Sequence, residues 1–455
     1  MFMRGSAEMQ SKVSMVIPCY NKERFISGMF ESILNQEWDN IELILVNDGS
    51  TDRTFSIINE YEPRFISRGY EVLIIDQDNQ GVSAAVRNGL LRVSGEYVCQ
   101  VDADDELDPC YVSEMAKWLD KNHDYDWTAC DATIENDDSV HYVNTMNYEN
   151  DTPLAAIEKW ILQKGGRAIW VHMIRMEYLR RCNVIELFFI GREGNQEAQF
   201  FLPLALGGGK IKLINEPLYR FNSRDHSSHR SYSNSYSELK ERNDGIITAF
   251  THIIQRMPIK SCDKKRLCVI AELKHHALVV KIALSSKYKS EDLFDSVDIL
   301  QETVWKYFAP HNLINSNRVF LFPQLYCDAL EDNLCGSLPI DVDIPTGRVI
   351  AWGVLGKNAD RLLPHLDGTP LEPNELWDVR CNGNTIKYPD VSSLTEQDVV
   401  LLLPSKENVL KEIKKTLDGI ECLILPHEHI SMYVRKKLFP EFYDGTIKFT
   451  IESDL

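Results

Sequence analysis

The sequence lacks the hallmarks of membrane-spanning, disulfide-bonded and nucleic-acid-binding proteins. No apolar run approaches the roughly 20 residues of a transmembrane helix, and no signal peptide is recognised before the first apolar segment. The 11 cysteines form no Cys-x-x-Cys pair and no zinc-type spacing, which argues against a disulfide framework. The 68 acidic residues outnumber the 49 basic ones, and the net charge of -19 disfavours nucleic acid and anionic membrane surfaces as electrostatic partners. We therefore expect a cytoplasmic protein, and a position at the inner face of a membrane stays open.

The first hundred residues alternate short apolar runs with amphipathic segments. This rhythm predicts a mostly parallel sheet with right-handed crossovers and helices on both faces. Ser50 or Thr51 is expected to cap the second helix, which should extend through Tyr61. The predicted strands are Val13 to Ile17, Ile41 to Val46, Val72 to Ile75 and Tyr97 to Val101.

Acidic side chains follow the ends of these predicted strands. The fourth strand runs directly into Asp102, Asp104 and Asp105, and Asp48 and Asp76 follow two others. Open α/β sheets bind ligands at the carboxyl ends of their strands. Three carboxylates within four residues repel one another unless a cation or a proton relieves them, and oxygen sites of this kind suit Mg²⁺ or Mn²⁺. An acidic run can also be a solvated turn, but its place after an apolar strand favours a cation and phosphate site.

Four segments carry a family resemblance: VSMVIPCYN, ILVNDGSTD, NQGVSAAVRNG and GEYVCQVDADD. In this order they resemble the nucleotide-sugar half of glycosyltransferase family 2, with the GT-A fold, over about residues 11–230. Asn47 stands where the family usually has an aspartate. The resemblance implies that Asp102 and Asp104 form the DxD motif, which holds the sugar nucleotide through Mn²⁺ or Mg²⁺. The implied nucleoside and diphosphate contacts are Pro18, Tyr20, Glu23 and Asp48, followed by Asn79, Arg87 and Asn88.

The acceptor half of the family carries its general base in an acid pair that opens a helix. Here Gln196-Glu197 replaces the usual Glu-Asp, so the resemblance assigns the base to Glu197, with Glu193 and Asp225 as alternatives. His226 is a candidate for closing over the diphosphate or metal, although a loop histidine in a stretch rich in Ser and Arg is more often solvated. Two further roles have structural alternatives. Glu197 could simply be an acid that the helix dipole stabilises, and Arg87 could be a surface arginine rather than a phosphate ligand.

The remaining sequence changes character twice. Residues 235–290 and 293–307 have helical periodicity, and from Pro345 onward short strands again alternate with helices. The turn Gly353-Val354-Leu355-Gly356 falls short of Gly-x-Gly-x-x-Gly, which favours a structural or partner-binding role over a dinucleotide site. The predicted domains are a GT-A-type nucleotide-sugar-binding domain at 11–234, a helical linker or acceptor-side region at 235–344 and a small Rossmann-like α/β domain at 345–455.

These observations predict a metal-dependent, inverting glycosyltransferase. It would move a sugar from a UDP-sugar donor to a hydroxyl of a cell-surface glycan or lipid-linked glycan acceptor. The alternatives are an NAD(P)-dependent oxidoreductase centred on the C-terminal domain and a catalytically inactive sugar-nucleotide binder. No nucleic acid is expected as a partner, while a homo-oligomer and peripheral membrane association stay open.

Overall fold

A computed structural model gives the fold of two compact units, residues 1–279 with 451–455 and residues 280–450. The domain boundaries after residues 234 and 344 stay predictions. The structure describes residues 10–134, 137–141, 151–162, 168–188, 196–222, 235–284, 290–309, 326–330, 347–355, 357–367, 369–378, 386–387, 389–395, 397–404, 407–417, 420, 422–443 and 448–449.

The first unit begins with four parallel strands in the order β3-β2-β1-β4. They are β1 (Val13–Cys19), β2 (Ile41–Asp48), β3 (Glu71–Gln77) and β4 (Tyr97–Gln100), so all four predicted strands are confirmed. Every residue of β1 and β2 is buried, as expected for parallel strands covered on both faces. The crossover helices are α1 (Ile26–Leu34), α2 (Thr54–Arg68) and α3 (Val82–Leu90).

The predicted cap of α2 is wrong. The helix starts at Thr54, whose amide donates to Asp52 Oδ1 at 2.9 Å. Ser50 and Thr51 are instead bound to Asn21: Ser50 Oγ accepts from the Asn21 amide, and Asn21 Oδ1 accepts from the Thr51 amide. Ser50 and Thr51 therefore belong to the loop that precedes the helix and do not cap it.

The predicted end of α2 at Tyr61 is also wrong. The helix continues past Pro63 to Arg68, and Gly69 ends it with a left-handed backbone (φ +97°). The last two turns form because Phe65 is fully buried and packs edge-on against Phe30 of α1, with 5.3 Å between ring centroids. Burial of an aromatic side chain outweighs the single hydrogen bond that Pro63 cannot donate.

The same sheet continues with antiparallel and parallel strands in the order β4-β8-β6-β9-β5, and a further strand, β7, pairs with β6. Strand β9 is parallel to β6, with register shifts around Asp131, and antiparallel to the short β5. The strands are β5 (Glu106–Leu107), β6 (Trp127–Ile134), β7 (Asp137–His141), β8 (His172–Arg175) and β9 (Ile211–Phe221). The helices are α4 (Tyr111–Lys121), α5 (Pro153–Leu162), α6 (Met176–Arg181), α7 (Val184–Leu187), α8 (Gln196–Gly207), α9 (Tyr236–Arg256) and α10 (Ser261–Leu284), the last of which crosses the boundary at residue 279.

The second unit contains a five-stranded parallel sheet in the order β13-β12-β11-β14-β15. This is a doubly wound arrangement, so the predicted Rossmann-like character is confirmed. Its strands are β11 (Val349–Trp352), β12 (Glu375–Trp377), β13 (Ile386–Lys387), β14 (Val399–Leu402) and β15 (Leu423–Pro426). Its helices are α11 (Ser290–Tyr307), α12 (Lys357–Leu362), α13 (Glu407–Thr416) and α14 (His427–Leu438), and β10 (Phe308–Ala309) pairs with β16 (Lys448–Phe449). Within the described residues, no helix is long and apolar enough to cross a membrane.

Candidate functional site

The carboxyl ends of β1, β2, β3 and β4 lie along one edge of the first sheet. The register pairs Cys19 with Asn47 and Asn47 with Asp76, which brings the three strand ends side by side. Pro18 is buried within β1, whereas the ring of Tyr20, just beyond the strand, is 44% exposed. An exposed aromatic ring at a ligand-binding edge is available for stacking on a nucleobase.

The loops after β1 and β2 hold each other in place. Glu23 Oε2 accepts a hydrogen bond from the Arg53 amide at 3.1 Å, and Thr54 Oγ1 accepts one from the Lys22 amide at 2.7 Å. Asn21 adopts a left-handed backbone (φ 51°) between them. The Glu23 carboxylate thus holds the second loop, and its proposed nucleoside contact stays a prediction.

Asp48 is buried and accepts three hydrogen bonds. Its oxygens bind Gln77 Nε2 at 2.8 Å and the amides of Gln80 and Gly81 at 2.9 Å each. Asn88 Nδ2 donates in turn to Gln77 Oε1 at 2.7 Å, so Asn88 belongs to the same network. A carboxylate offers about four acceptor positions, which leaves Asp48 one more, and its contact with the base stays a prediction.

The two remaining predicted contacts, Asn79 and Arg87, stay predictions, and both lie near this network together with Asn47. Gly49 (φ +66°) packs so closely on Asn79 that an added Cβ would lie 2.6 Å from the Asn79 amide nitrogen. Arg87 Nε donates to the carbonyl oxygen of Ile185 at 3.3 Å, which directs it towards α7. Asn47 Nδ2 donates to Asp76 Oδ1 at 2.6 Å, so the departure from the family aspartate supplies a donor that pairs with Asp76.

Asp102 and Asp104 are partly buried at the end of β4. Gln100 Nε2 donates to Asp102 Oδ1 at 2.9 Å, and Lys22 Nζ lies 2.5 Å from Asp104 Oδ2. Burial raises the pKa of Asp102, and the nearby charges of Asp104 and Glu197 raise it further. The sequence analysis did not identify Lys22. The feature that could have indicated it is a basic side chain in the loop after the first strand.

Asp105 differs from the two aspartates before it. It is fully buried, its Oδ2 accepts from the Tyr219 hydroxyl at 2.7 Å and its Oδ1 from the Asn222 amide at 2.8 Å. Burial, followed by the charge of Asp102, raises the pKa of Asp105. Both of its oxygens are therefore engaged inside the protein.

Asp102 and Asp104 fit a divalent cation of the Mg²⁺ or Mn²⁺ type. Such ions usually bind one or two carboxylates together with substrate phosphates and water. Burial, and then the neighbouring charges of Asp104 and Glu197, raise the pKa of Asp102, and a cation would favour its ionised form. In the described part of the chain, no group of three or more His, Cys, Asp and Glu side chains forms a protein-only cage. His226, the third implied ligand, lies outside the described residues.

Glu197 lies in the first turn of α8, as predicted. Its carboxylate is close enough to Asp102 to raise the pKa of that residue, so both acids belong to one region. A buried hydrogen bond from Gln199 Nε2 to Ser83 Oγ, 2.8 Å long, fixes α8 against α3. The alternative bases, Glu193 and Asp225, lie outside the described residues.

The corresponding edge of the second unit is filled by its own side chains. At the end of β11, Gly353 (φ +84°) packs on Pro404, and an added Cβ would lie 2.6 Å from Pro404 Cγ. Asn358 Nδ2 donates to the Leu403 carbonyl at 2.9 Å, and Asp378 Oδ2 accepts from the Leu355 amide at 3.1 Å. Doubly wound sheets bind ligands at this switch point, between their first and fourth strands.

Residues 14–181 match the family model described as Glycosyl transferase family 2, so the resemblance is confirmed over this range. The glycosyltransferase GlyA of Streptococcus pneumoniae is 40% identical over 106 residues, which are 23% of this chain and 15% of GlyA. The uncharacterized glycosyltransferase EpsJ of Bacillus subtilis is 28% identical over 221 residues, 47% of this chain and 62% of EpsJ. The chain thus spans less than two thirds of either relative.

Among solved structures, one that the chain matches is S. aureus TarS 1-349 in complex with UDP-GlcNAc. The TM-score is 0.49 at 18% sequence identity, over 74% of this chain and 95% of that chain.

Proposed function

Because residues 14–181 form a glycosyltransferase family 2 domain, we propose that the protein is a metal-dependent, inverting glycosyltransferase. It transfers a sugar from a UDP-sugar to a hydroxyl of a cell-surface glycan or lipid-linked glycan acceptor. A cytoplasmic location, with peripheral membrane association left open, belongs to the same proposal.

The observation that supports this proposal best is the grouping of Asp102, Asp104 and Glu197. Asp102 and Asp104 end a parallel strand where donor phosphates are expected, and the charge of Glu197 acts on Asp102. A donor-phosphate site and a carboxylate base are thereby adjacent, which a transfer reaction requires.

Each residue has a separate task in the proposed reaction. Glu197, in the first turn of α8, takes the proton of the acceptor hydroxyl. Attack from the face opposite the diphosphate inverts the sugar carbon. Lys22 adds positive charge beside Asp104, where the diphosphate is expected. A divalent ion, when bound, would neutralise the charge that develops on the leaving phosphate oxygen.

The choice of UDP is supported by the exposed ring of Tyr20 and by carboxylates along the same edge. Asp48 and Asp76 offer acceptors, and the N3–H of uracil is a donor.

Calorimetric and thermal-shift titrations with UDP, GDP, CDP and NADH, each with Mn²⁺ and with a chelator, test the proposal. We expect UDP with Mn²⁺ to bind most tightly and to stabilise the protein most. Tighter binding of GDP than of UDP would overturn the uridine assignment. Equal UDP binding with Mn²⁺ and with chelator would overturn the proposed metal dependence. Tight binding of NADH would favour the oxidoreductase alternative instead.

A further inference from the structure

The loop of residues 102–105, here called the aspartate loop, contacts strand β9 through the hydroxyl group of Tyr219. Tyr219 donates to Asp105 Oδ2 at 2.7 Å, and its oxygen accepts from the Asp102 amide at 3.3 Å. Both Tyr219 and Asp105 are fully buried. The tyrosine therefore contacts the two ends of the loop that contains Asp102 and Asp104.

The ring of Tyr219 is held by its aromatic neighbours. It stacks on Trp170 with 4.2 Å between centroids and an angle of 26°, and it packs against Tyr111 at 6.1 Å. Strand pairing places Tyr219 opposite Leu107. A ring packed in this way cannot change rotamer without disrupting its neighbours, so its hydroxyl is a fixed point for the loop.

Asp105 provides the other half of the connection. Its second oxygen accepts from the Asn222 amide, so two residues of the β9 end bind one carboxylate of the aspartate loop. Because those contacts use both oxygens of Asp105, this residue anchors the loop, whereas Asp102 and Asp104 are only partly buried.

We propose that Tyr219 is a positioning residue for the donor site: it fixes the aspartate loop so that Asp102 and Asp104 hold a divalent cation together with the donor diphosphate. The inference rests on the proposed function. Removal of the hydroxyl leaves a buried carboxylate oxygen and a backbone amide without their partner, and the loop is then free to relax. Groups that orient metal ligands typically change metal affinity by roughly 10- to 100-fold.

Tyr219→Phe tests the proposal, with Tyr111→Phe as its matched control. Tyr111 is equally buried in the same aromatic cluster, but its hydroxyl donates to the Trp170 carbonyl at 2.8 Å. The measurement is the Mn²⁺ concentration that gives half-maximal UDP binding by calorimetry, together with UDP binding in chelator and the melting temperature.

We expect Tyr219→Phe to raise the half-saturating Mn²⁺ concentration by about tenfold or more. Its UDP binding in chelator and its melting temperature should match those of Tyr111→Phe. Asp105→Asn, which keeps one acceptor oxygen and loses the other, should raise the Mn²⁺ requirement as well and serves if Tyr219→Phe fails to fold. Equal Mn²⁺ requirements in Tyr219→Phe, Asp105→Asn and the control would overturn the inference alone. If UDP binding by the unmodified protein is independent of Mn²⁺, the inference and the metal-dependent function both fail.

Discussion

The parallel part of the first sheet and the parallel second sheet have the same strand order around their first strands but differ at their carboxyl edges. The first contains β3-β2-β1-β4 and the second contains β13-β12-β11-β14. At the first edge, Asp102 and Asp104 lie near each other, and Tyr20, just beyond β1, is exposed. At the second, Pro404 packs on Gly353 and Asn358 binds a strand-end carbonyl.

The difference shows that strand order alone does not specify a ligand site. The same topology places residues at the same edge, but the first edge has two neighbouring carboxylates, Asp102 and Asp104, whereas the second is packed with proline and amide side chains. At the carboxyl edge of the second sheet, proline and amide side chains fill the crevice, and their packing stabilises the second unit. We therefore expect substitutions at the first edge to change binding and catalysis, and those at the second to change stability.

The largest effect is expected from Asp104→Ala. Loss of this carboxylate should abolish the extra stabilisation that Mn²⁺ gives to the UDP complex in thermal-shift measurements, because Asp102 alone is a poor divalent site. Asp378→Ala is the control, since Asp378 follows β12 at the other edge. If Asp378→Ala removed the Mn²⁺ effect as completely, the contrast between the edges would be wrong.

Glu197→Gln should lower the turnover number by roughly a hundredfold or more, the usual scale for a general base, and leave UDP affinity nearly unchanged. Glu177→Gln is a matched control, because Glu177 is also a first-turn acid, in α6. The turnover number is measured from steady-state transfer rates with the correct acceptor. Turnover close to that of the unmodified protein would transfer the role to Glu193 or Asp225.

Gly353→Ala should destabilise the second unit and leave UDP binding intact. Its backbone is left-handed (φ +84°), which costs an alanine roughly 1–2 kcal/mol, and the new methyl group would overlap Pro404. Gly208→Ala separates the two effects, because Gly208 is also left-handed (φ +64°) but has open space around it. Chemical denaturation should show a larger loss in the free energy of unfolding for Gly353→Ala than for Gly208→Ala. Equal losses would mean that Pro404 moves aside at little cost.

The smallest effect is an acid sensitivity of the second unit. Arg348 lowers the pKa of Asp398 from 3.8 to about 2, with further hydrogen bonds from Thr395. A lowered pKa stabilises the folded state above about pH 4, and that stabilisation is lost as the pH falls from about 4 to about 2. Asp398→Asn should remove this part of the pH dependence in acid unfolding followed by tryptophan fluorescence. An unchanged profile would show that other carboxyl groups dominate.

Much of the first sheet could be predicted because its signals are local. The apolar runs of β1 to β4 and the acids after them are contiguous in sequence, and so is the acid at the start of α8. The end of α2 could not be predicted, since it depends on Phe65 packing against a different helix.

The pairing of Lys22 with Asp104 and of Asp105 with Tyr219 was also beyond the sequence. These partners are 82 and 114 residues apart, and only the folded sheet brings them together. A run of three aspartates therefore reads as one cluster, although Asp105 has a different role from its neighbours.

The connection between Tyr219 and the aspartate loop has a consequence for how the protein is made. A nascent chain contains all four strand-end motifs once residue 105 has left the ribosome. The hydroxyl that fixes the loop follows only with β9, and this strand must first insert between β6 and β5. Pairings between such distant segments form late, because the intervening chain must be closed into a loop first. The growing polypeptide thus contains Asp102 and Asp104 early and gains the contacts that fix their loop only when synthesis has passed Asn222.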